Sequence, residues 1–324
     1  MLDIRLSFSQ REREPWFFEY KDQGDGDSDL YKEIVEIEES RDKKISLQNC
    51  SQNEIGFVFV DGVLDKIGEG KIKISERESE FLLFSMCVGC GFENGQLIEK
   101  NIENIFWIVE DQHINEIKEI ERKTECKIIA TREARYAYSE ILQTMREKEI
   151  KMALKVSERM QNISKKIMFF ILDGPIYHTK LDELKNRGIF CGIVKNPEKL
   201  YGTAKEEISE LKIGERTKLK KVIFSKREEL SKKEKFFFFM KVGKHKQQLI
   251  RVDFLPEDEE KLEPFSIAEI LKEKISMWAS DIGDRAPENL TPIRILENRL
   301  RAIKGDKKII QRKIKNKIEL PLLP

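Results

Sequence analysis

The sequence predicts an α/β protein in which a mixed sheet is flanked by helices. Two observations carry this. Three apolar runs, IGFVFVDG (55–62), KKIMFFILDGPI (165–176) and IFCGIVKNP (189–197), are short, rich in β-branched and aromatic residues and bounded by turn signals, as buried strands are. Helical patterns separate them: a long one before the second run, and LDELKNRG (181–188), closed by Gly188, before the third. Strands alternating with helices in this way lie side by side in one sheet.

Taken in order, residues 1–50 are polar and mixed and read as an N-terminal arm or small subdomain. They hold a turn-rich DQGDGDSD (22–29) and then LYKEIVEIEES (30–40), whose spacing predicts a short amphipathic helix. After the first strand, GEGKIKISERESEFLLFSMCVG (68–89) predicts two more. NIFWIVE (104–110) and ECKIIAT (125–131) predict strands around a short charged helix. From Thr131 to Ile163, Leu142, Met145, Met152, Ala153, Val156, Met160 and Ile163 recur by threes and fours along one face of a helix. Residues 199–235 are charged and read as a helical and loop-rich insertion. FFFFMKVGKHKQQLIRVDFLP (236–256) predicts a hairpin turning near GKHK. Four consecutive phenylalanines cannot alternate into water, so both faces of that strand are covered. Residues 264–304 read as helical, and the α/β domain, 51–304, ends in a basic tail, 305–324.

Composition narrows the function. Of 324 residues 40% are hydrophobic and 37% charged, and 60 Lys+Arg face 59 Asp+Glu. A nearly neutral chain is no polycation, so an anionic partner needs a local patch with the acids segregated elsewhere. No run approaches the ~18–20 apolar residues of a bilayer span. The first residues lack the apolar stretch of a signal peptide, so a cytoplasmic protein without a membrane partner is expected. Five cysteines, an odd and scattered set, do not make a disulfide framework. Cys87 and Cys90 form a C-x-x-C with no second pair to complete a zinc site, inside a run that reads as a core strand. No nucleotide-binding glycine motif and no Ser/His/Asp or Cys/His set stands out.

The chemistry lies in carboxylates. Asp61 and Asp173 each follow a buried apolar run and precede a glycine. Open α/β sheets bind ligands beyond the carboxyl ends of their strands, and two such aspartates on neighbouring strands can share a divalent cation. A following glycine lets backbone, metal or phosphate come close; an Asp-Gly turn is the plainer alternative. Glu149 falls on the apolar stripe of the long helix, between Met145 and Met152. A carboxylate turned to the core is costly unless it is paired or metal-bound. Glu149 is therefore either a metal ligand or a salt-bridged partner of Arg146 or Lys148. Strand Asp, helix Glu, strand Asp is the chain order of a ribonuclease-H-like site. Its hard oxygen donors suit Mg²⁺ or Mn²⁺, and such sites hold two ions.

These residues resemble the NurA nuclease family, which works with the hexameric DNA-translocating ATPase HerA. FVDGV (59–63) and LDGPI (172–176) are similar to its two Asp-Gly motifs, and MREKE (145–149) to its M-R-x-x-E helix. IFCGIVKNP resembles its following strand with a lysine, and LIRVDFLP (249–256) its later R-V-acidic-x-x-P strand. The resemblance implies a ribonuclease-H-like fold, a homodimer and Mn²⁺-dependent cleavage of DNA. The cleavage is 5′-to-3′ exonuclease plus single-strand endonuclease, processing ends for recombination repair. Carried over by position, Asp61, Glu149 and Asp173 become metal ligands and catalytic residues. Lys195 and Arg251 become nucleic-acid contacts; apart from the resemblance, Tyr177 is read as an aromatic that stacks on the bases of a single strand. The family's C-terminal histidine is absent: LTPIRILENRL (290–300) keeps Pro292, and Glu297 or Asn298 stands in that place. A degenerate member that binds DNA or HerA without cutting, and a ribonuclease-H-like enzyme acting on RNA, remain the alternatives.

Two further features stay open. His178 follows Asp173 by five residues. Basic residues gather in 216–246 and 299–317, where they line a single-strand channel, form a solvated face or dock a partner.

Overall fold

The computed structural model describes residues 4–8, 30–37, 55–74, 77–109, 114–131, 137–164, 166–177, 180–185, 187–195, 197, 200, 205–226, 233–244, 248–255, 262–279 and 289–319. It is a mixed α/β structure built on one large sheet. The strands are β1 (Ile4–Phe8), β2 (Leu30–Glu36), β3 (Ile55–Ile74), β4 (Arg77–Phe92), β5 (Leu97–Val109), β6 (Lys127–Thr131), β7 (Ile167–Asp173), β8 (Ile189–Lys195), β9 (Lys220–Lys226), β10 (Lys233–Lys241) and β11 (Leu249–Leu255). Helices α1 (Ile114–Thr124), α2 (Ala137–Ile163), α3 (Leu181–Leu184), α4 (Lys205–Ser209), α5 (Pro264–Trp278), α6 (Thr291–Lys304) and α7 (Lys307–Glu319) accompany them. The sheet runs β2-β9-β10-β11-β8-β7-β3-β4-β5-β6, and β1 pairs with the far half of β3.

The three apolar runs are neighbours and parallel: β3 pairs with β7, and β7 with β8. Alternation then sorts their side chains onto two faces. Phe57, Phe59, Phe169, Ile171, Cys191 and Ile193 meet α5 and α6, while Val58, Val60, Phe170, Leu172 and Phe190 meet α2. The four phenylalanines of β10 are all buried, Phe236 and Phe238 on the first face and Phe237 and Phe239 on the second. A third core under α1 and α7 covers the outer part of β3 and β4.

Several expectations are corrected. Residues 30–36 are strand, because the open edge of β9 pairs with them from Leu30↔Lys226 to Glu36↔Lys220. With β1 on β3, the described parts of 1–50 belong to the sheet; DQGDGDSD lies outside the described residues. β9 itself runs through what read as helix and loop. Its charges are taken up locally, Lys220 by Glu207 at 3.2 Å and Lys221 by Glu234 across the ladder at 3.1 Å. The long helix begins at Ala137, and its buried stripe fades at Met160, since Ile163 is 80% exposed. The basic tail is helical as far as Glu319, and Ile310, Ile314 and Ile318 dock it on the third core. Cys87 and Cys90 point into opposite cores of β4, and burial pushes both thiols up.

Arg251, expected at the nucleic-acid surface, is only 2% exposed. Its Nε donates to Asp253 Oδ1 at 2.8 Å, and Lys235 Nζ donates to Asp253 Oδ2 at 2.9 Å and to the Ile176 carbonyl at 2.7 Å. Arg251 and Asp253 are two apart on one strand and so share a face. The two cations hold the Asp253 carboxyl below its ordinary range, against the burial that would raise it. Removing the shared partner of buried charges is expensive. Asp253→Asn is expected to lower unfolding stability by about 3–5 kcal/mol, read as a drop in the urea midpoint at unchanged m. A change below about 1 kcal/mol would show that the trio contributes little.

Candidate active site

The parallel ladder of β3 and β7 ends at Val60↔Leu172, so the next residues, Asp61 and Asp173, stand side by side on adjacent strands. β3 does not end there. It runs on through Gly62 to Ile74, paired with β4 throughout, Asp61 opposite Gly89. Asp61 therefore makes no Asp-Gly turn; it sits where one neighbour strand stops and the other continues. β7 does end at Asp173, and Gly174 turns the chain at φ +124°.

Asp61, Asp173 and Lys195 project on the face that carries Phe59, Ile171 and Ile193. α2 lies against the opposite face, and Glu149 reaches in from it past Gly62. A Cβ on Gly62 would stand 2.7 Å from Glu149 Oε1 and 2.8 Å from Met145 Cγ. Only glycine leaves that passage open. Exposure rises outward: Glu149 is 1% exposed and Asp61 5%, while about a fifth of the Asp173 side chain and a quarter of Lys195 remain open. The cluster opens to water on the Asp173–Lys195 side.

Two cations stand among these acids. Arg146 Nη1 donates to Glu149 Oε2 at 2.8 Å and to the Asp173 carbonyl, and its guanidinium lies against Gly174, 3.2 Å from where a Cβ would be. Lys195 Nζ donates to Asp173 Oδ2 at 2.9 Å. Gly62 N–H donates to Asp61 Oδ1 at 2.8 Å. Even so, burial first, and then Asp173 and Glu149, push the Asp61 carboxyl well above the ordinary range. Burial raises Glu149 too, against the pull of Arg146. The guanidinium is held more firmly charged than usual, because Glu149 and Asp173 outweigh its own desolvation.

The remaining expected residues fall differently. Glu297 lies on α6, over the face that bears Asp61, and accepts from Arg301 Nη2 at 2.7 Å. Leu300 of the same helix packs on Gly89, beside Asp61. Tyr177 is half-buried just past the Gly174 turn, its carbonyl accepting from Lys180 N–H. His113, His178 and His245 lie outside the described residues. Arg146 and Arg301 are the site residues missing from the expected set. Arg146 was legible as the partner of a core-facing glutamate three residues on; Arg301 gave no local signal.

Among the described residues, no three His, Cys, Asp or Glu side chains are gathered as a metal-holding group; Arg146 and Lys195 engage two of the acids instead. The donor set nevertheless fits a hard divalent cation. Its atoms are carboxylate oxygens, and Glu149 Oε1, buried beside Gly62, has no hydrogen-bond partner. No protein-family model matches this chain, and no curated protein is significantly similar to it.

Asp61 binds its proton more tightly folded than unfolded. Its contribution to metal-free stability is therefore full below about pH 3.9 and is lost as pH rises through the folded value. Asp61→Asn, neutral at every pH, is expected to raise the Tm in EDTA at neutral pH. Mn²⁺ is expected to raise the Tm of the wild type and not of the variant. A lower Tm for Asp61→Asn in EDTA would contradict the assigned repulsion.

Proposed function

We propose that this chain is a divalent-metal-dependent nuclease acting on DNA, with a ribonuclease-H-like core and of the NurA kind. One observation carries the reading: Asp61 and Asp173, distant in sequence, stand side by side at the end of a parallel ladder, with Glu149 against Gly62 and close enough for its charge to act on Asp61. The order β5-β4-β3-β7-β8, with β3, β7 and β8 parallel and β4 antiparallel to both β3 and β5, supports the ribonuclease-H-like assignment.

Asp61, Glu149 and Asp173 would hold Mn²⁺ or Mg²⁺. When bound, such ions would supply a more acidic water and charge neutralisation at a phosphodiester's leaving oxygen. The chain's own residues prepare the site. Arg146 takes one oxygen of Glu149 and leaves Oε1 free to ligate. By holding the Asp173 carbonyl, the same guanidinium fixes the turn that presents Asp173. Lys195, about a quarter of it exposed at the open side, orients Asp173 Oδ2 and offers a cation to an entering phosphate. Glu297, engaged by Arg301, would serve as a fourth ligand only after leaving that partner. The homodimer and a HerA-type ATPase partner belong to the same proposal.

The pairing of Arg146 and Lys195 with the acids favours one alternative, a binder of DNA that does not cut. A single comparison separates the two. Labelled single-stranded DNA, duplex DNA and RNA are incubated with Mn²⁺ or EDTA. Mn²⁺-dependent DNA cleavage is expected, abolished by Asp61→Ala and by Asp173→Ala. Lys195→Ala, which removes a group bonded to a ligand, is expected to cost about 10–100-fold. Binding without cleavage would establish the alternative, and preference for RNA would redirect the substrate. Full cleavage by both alanine variants would refute the site.

A further inference from the structure

The last two helices form one of two strongly basic stretches of the sequence, the other being residues 216–246. Residues 291–319 hold ten Lys or Arg against three Asp or Glu, net +7, in a chain whose formal net charge is +1; the rest of the chain is net −6. The segregation that a neutral chain needs for an anionic partner is thus met on this helix pair, all of whose residues are described.

Its placement relates it to the carboxylates. α6 crosses the face of β3 that bears Asp61. Leu300 lies on Gly89 beside Asp61, and Arg301 reaches Asp65 Oδ1 at 3.8 Å, its charge strengthened first by Glu297 and then by Asp65 and Asp61. Lys304 donates to Asp65, and one turn into α7 Gln311 donates to the Ile67 carbonyl. The helix pair therefore follows β3 outward from Asp61 to Ile67, six residues or roughly 20 Å. α7 turns Ile314 and Ile318 into the third core, which leaves Lys308, Arg312 and Lys313 exposed away from it and Lys307 exposed at its first turn.

We propose that the outer face of α7, continued by Arg301 on α6, is a docking track for the phosphodiester backbone of a single DNA strand whose end lies at Asp61 and Asp173. Regularly placed cations on a helix bind phosphates without reading bases, so the track is indifferent to sequence. The identity of the polyanion as DNA rests on the nuclease reading; the track itself does not.

The test measures binding by the full chain to a fluorescein-labelled oligothymidylate in EDTA across a salt series, by anisotropy. The variant Lys307→Ala/Lys308→Ala/Arg312→Ala/Lys313→Ala keeps strong helix formers at exposed positions. Losing up to four phosphate contacts at about 0.7 each lowers the slope of log K against log salt by about 2–3, and affinity is expected to fall at least tenfold. The charge-keeping variant Lys307→Arg/Lys308→Arg/Arg312→Lys/Lys313→Arg is expected to bind as the wild type. A control, Lys151→Ala/Lys185→Ala on the opposite side of the sheet, is expected to leave the slope unchanged. An unchanged slope in the alanine variant, an equal loss in the control, or no binding by the wild type overturns the proposal. Mn²⁺-dependent hydrolysis of bis(p-nitrophenyl) phosphate, too small to span the track, keeps the two readings apart. Wild-type binding without any hydrolysis removes the nuclease and leaves the track. Hydrolysis with unchanged variant binding removes the track and leaves the nuclease.

Discussion

Asp61 and Glu149 are taken almost wholly out of water within reach of Asp173, and three negative charges gathered in that way repel one another unless something positive stands among them. Much of the local design answers this. Arg146 comes from the same helix as Glu149, one turn earlier, and is bonded at once to that carboxylate and to the backbone that presents Asp173. Lys195 comes from the next parallel strand and takes the outermost acid. Neither cation reaches Glu149 Oε1, which stays buried without a hydrogen-bond partner, and burial raises that carboxyl's hold on its proton.

The same constraint shapes the backbone. Gly62 lets a helix on one face of the sheet place a carboxylate next to residues that project on the other, which a sheet of ordinary side chains would forbid. Gly174, at φ +124°, turns the chain directly after Asp173 and gives the guanidinium a flat surface to lie on. Farther off, Lys235 ties the Ile176 carbonyl to the buried Asp253–Arg251 pair. The loop beyond Asp173 is thus anchored from the core as well as from the helix.

Parts of this were readable residue by residue. Asp61 and Asp173 announce themselves because an apolar strand that ends in an acid has no packing reason to do so, and Glu149 because it interrupts a helical apolar stripe. Arg251 misled, since its expected role came from the resemblance of its strand and not from its own surroundings. Its i, i+2 relation to Asp253 was the available sign of a buried pair. The helix expected at 30–40 failed for a different reason. Leu30, Ile34 and Ile37 have helical spacing, but the decision belonged to β9, whose edge hydrogen bonds accept that segment as a strand.

Periodicity and composition by themselves determined the buried strands, the helix carrying Glu149, the double-sided burial of the phenylalanine run, and the kind of atom available to a cation. These follow from local alternation and from the cost of leaving apolar groups in water. Only the tertiary structure decided that β3 passes through Asp61 without turning, that Arg146 rather than Lys148 engages Glu149, and that the basic C-terminal helices lie along the strand leading to the acids. Each of these depends on which strand or helix is the neighbour. A chain's neighbours in space are set by the closing of the whole sheet, which no short stretch of residues encodes.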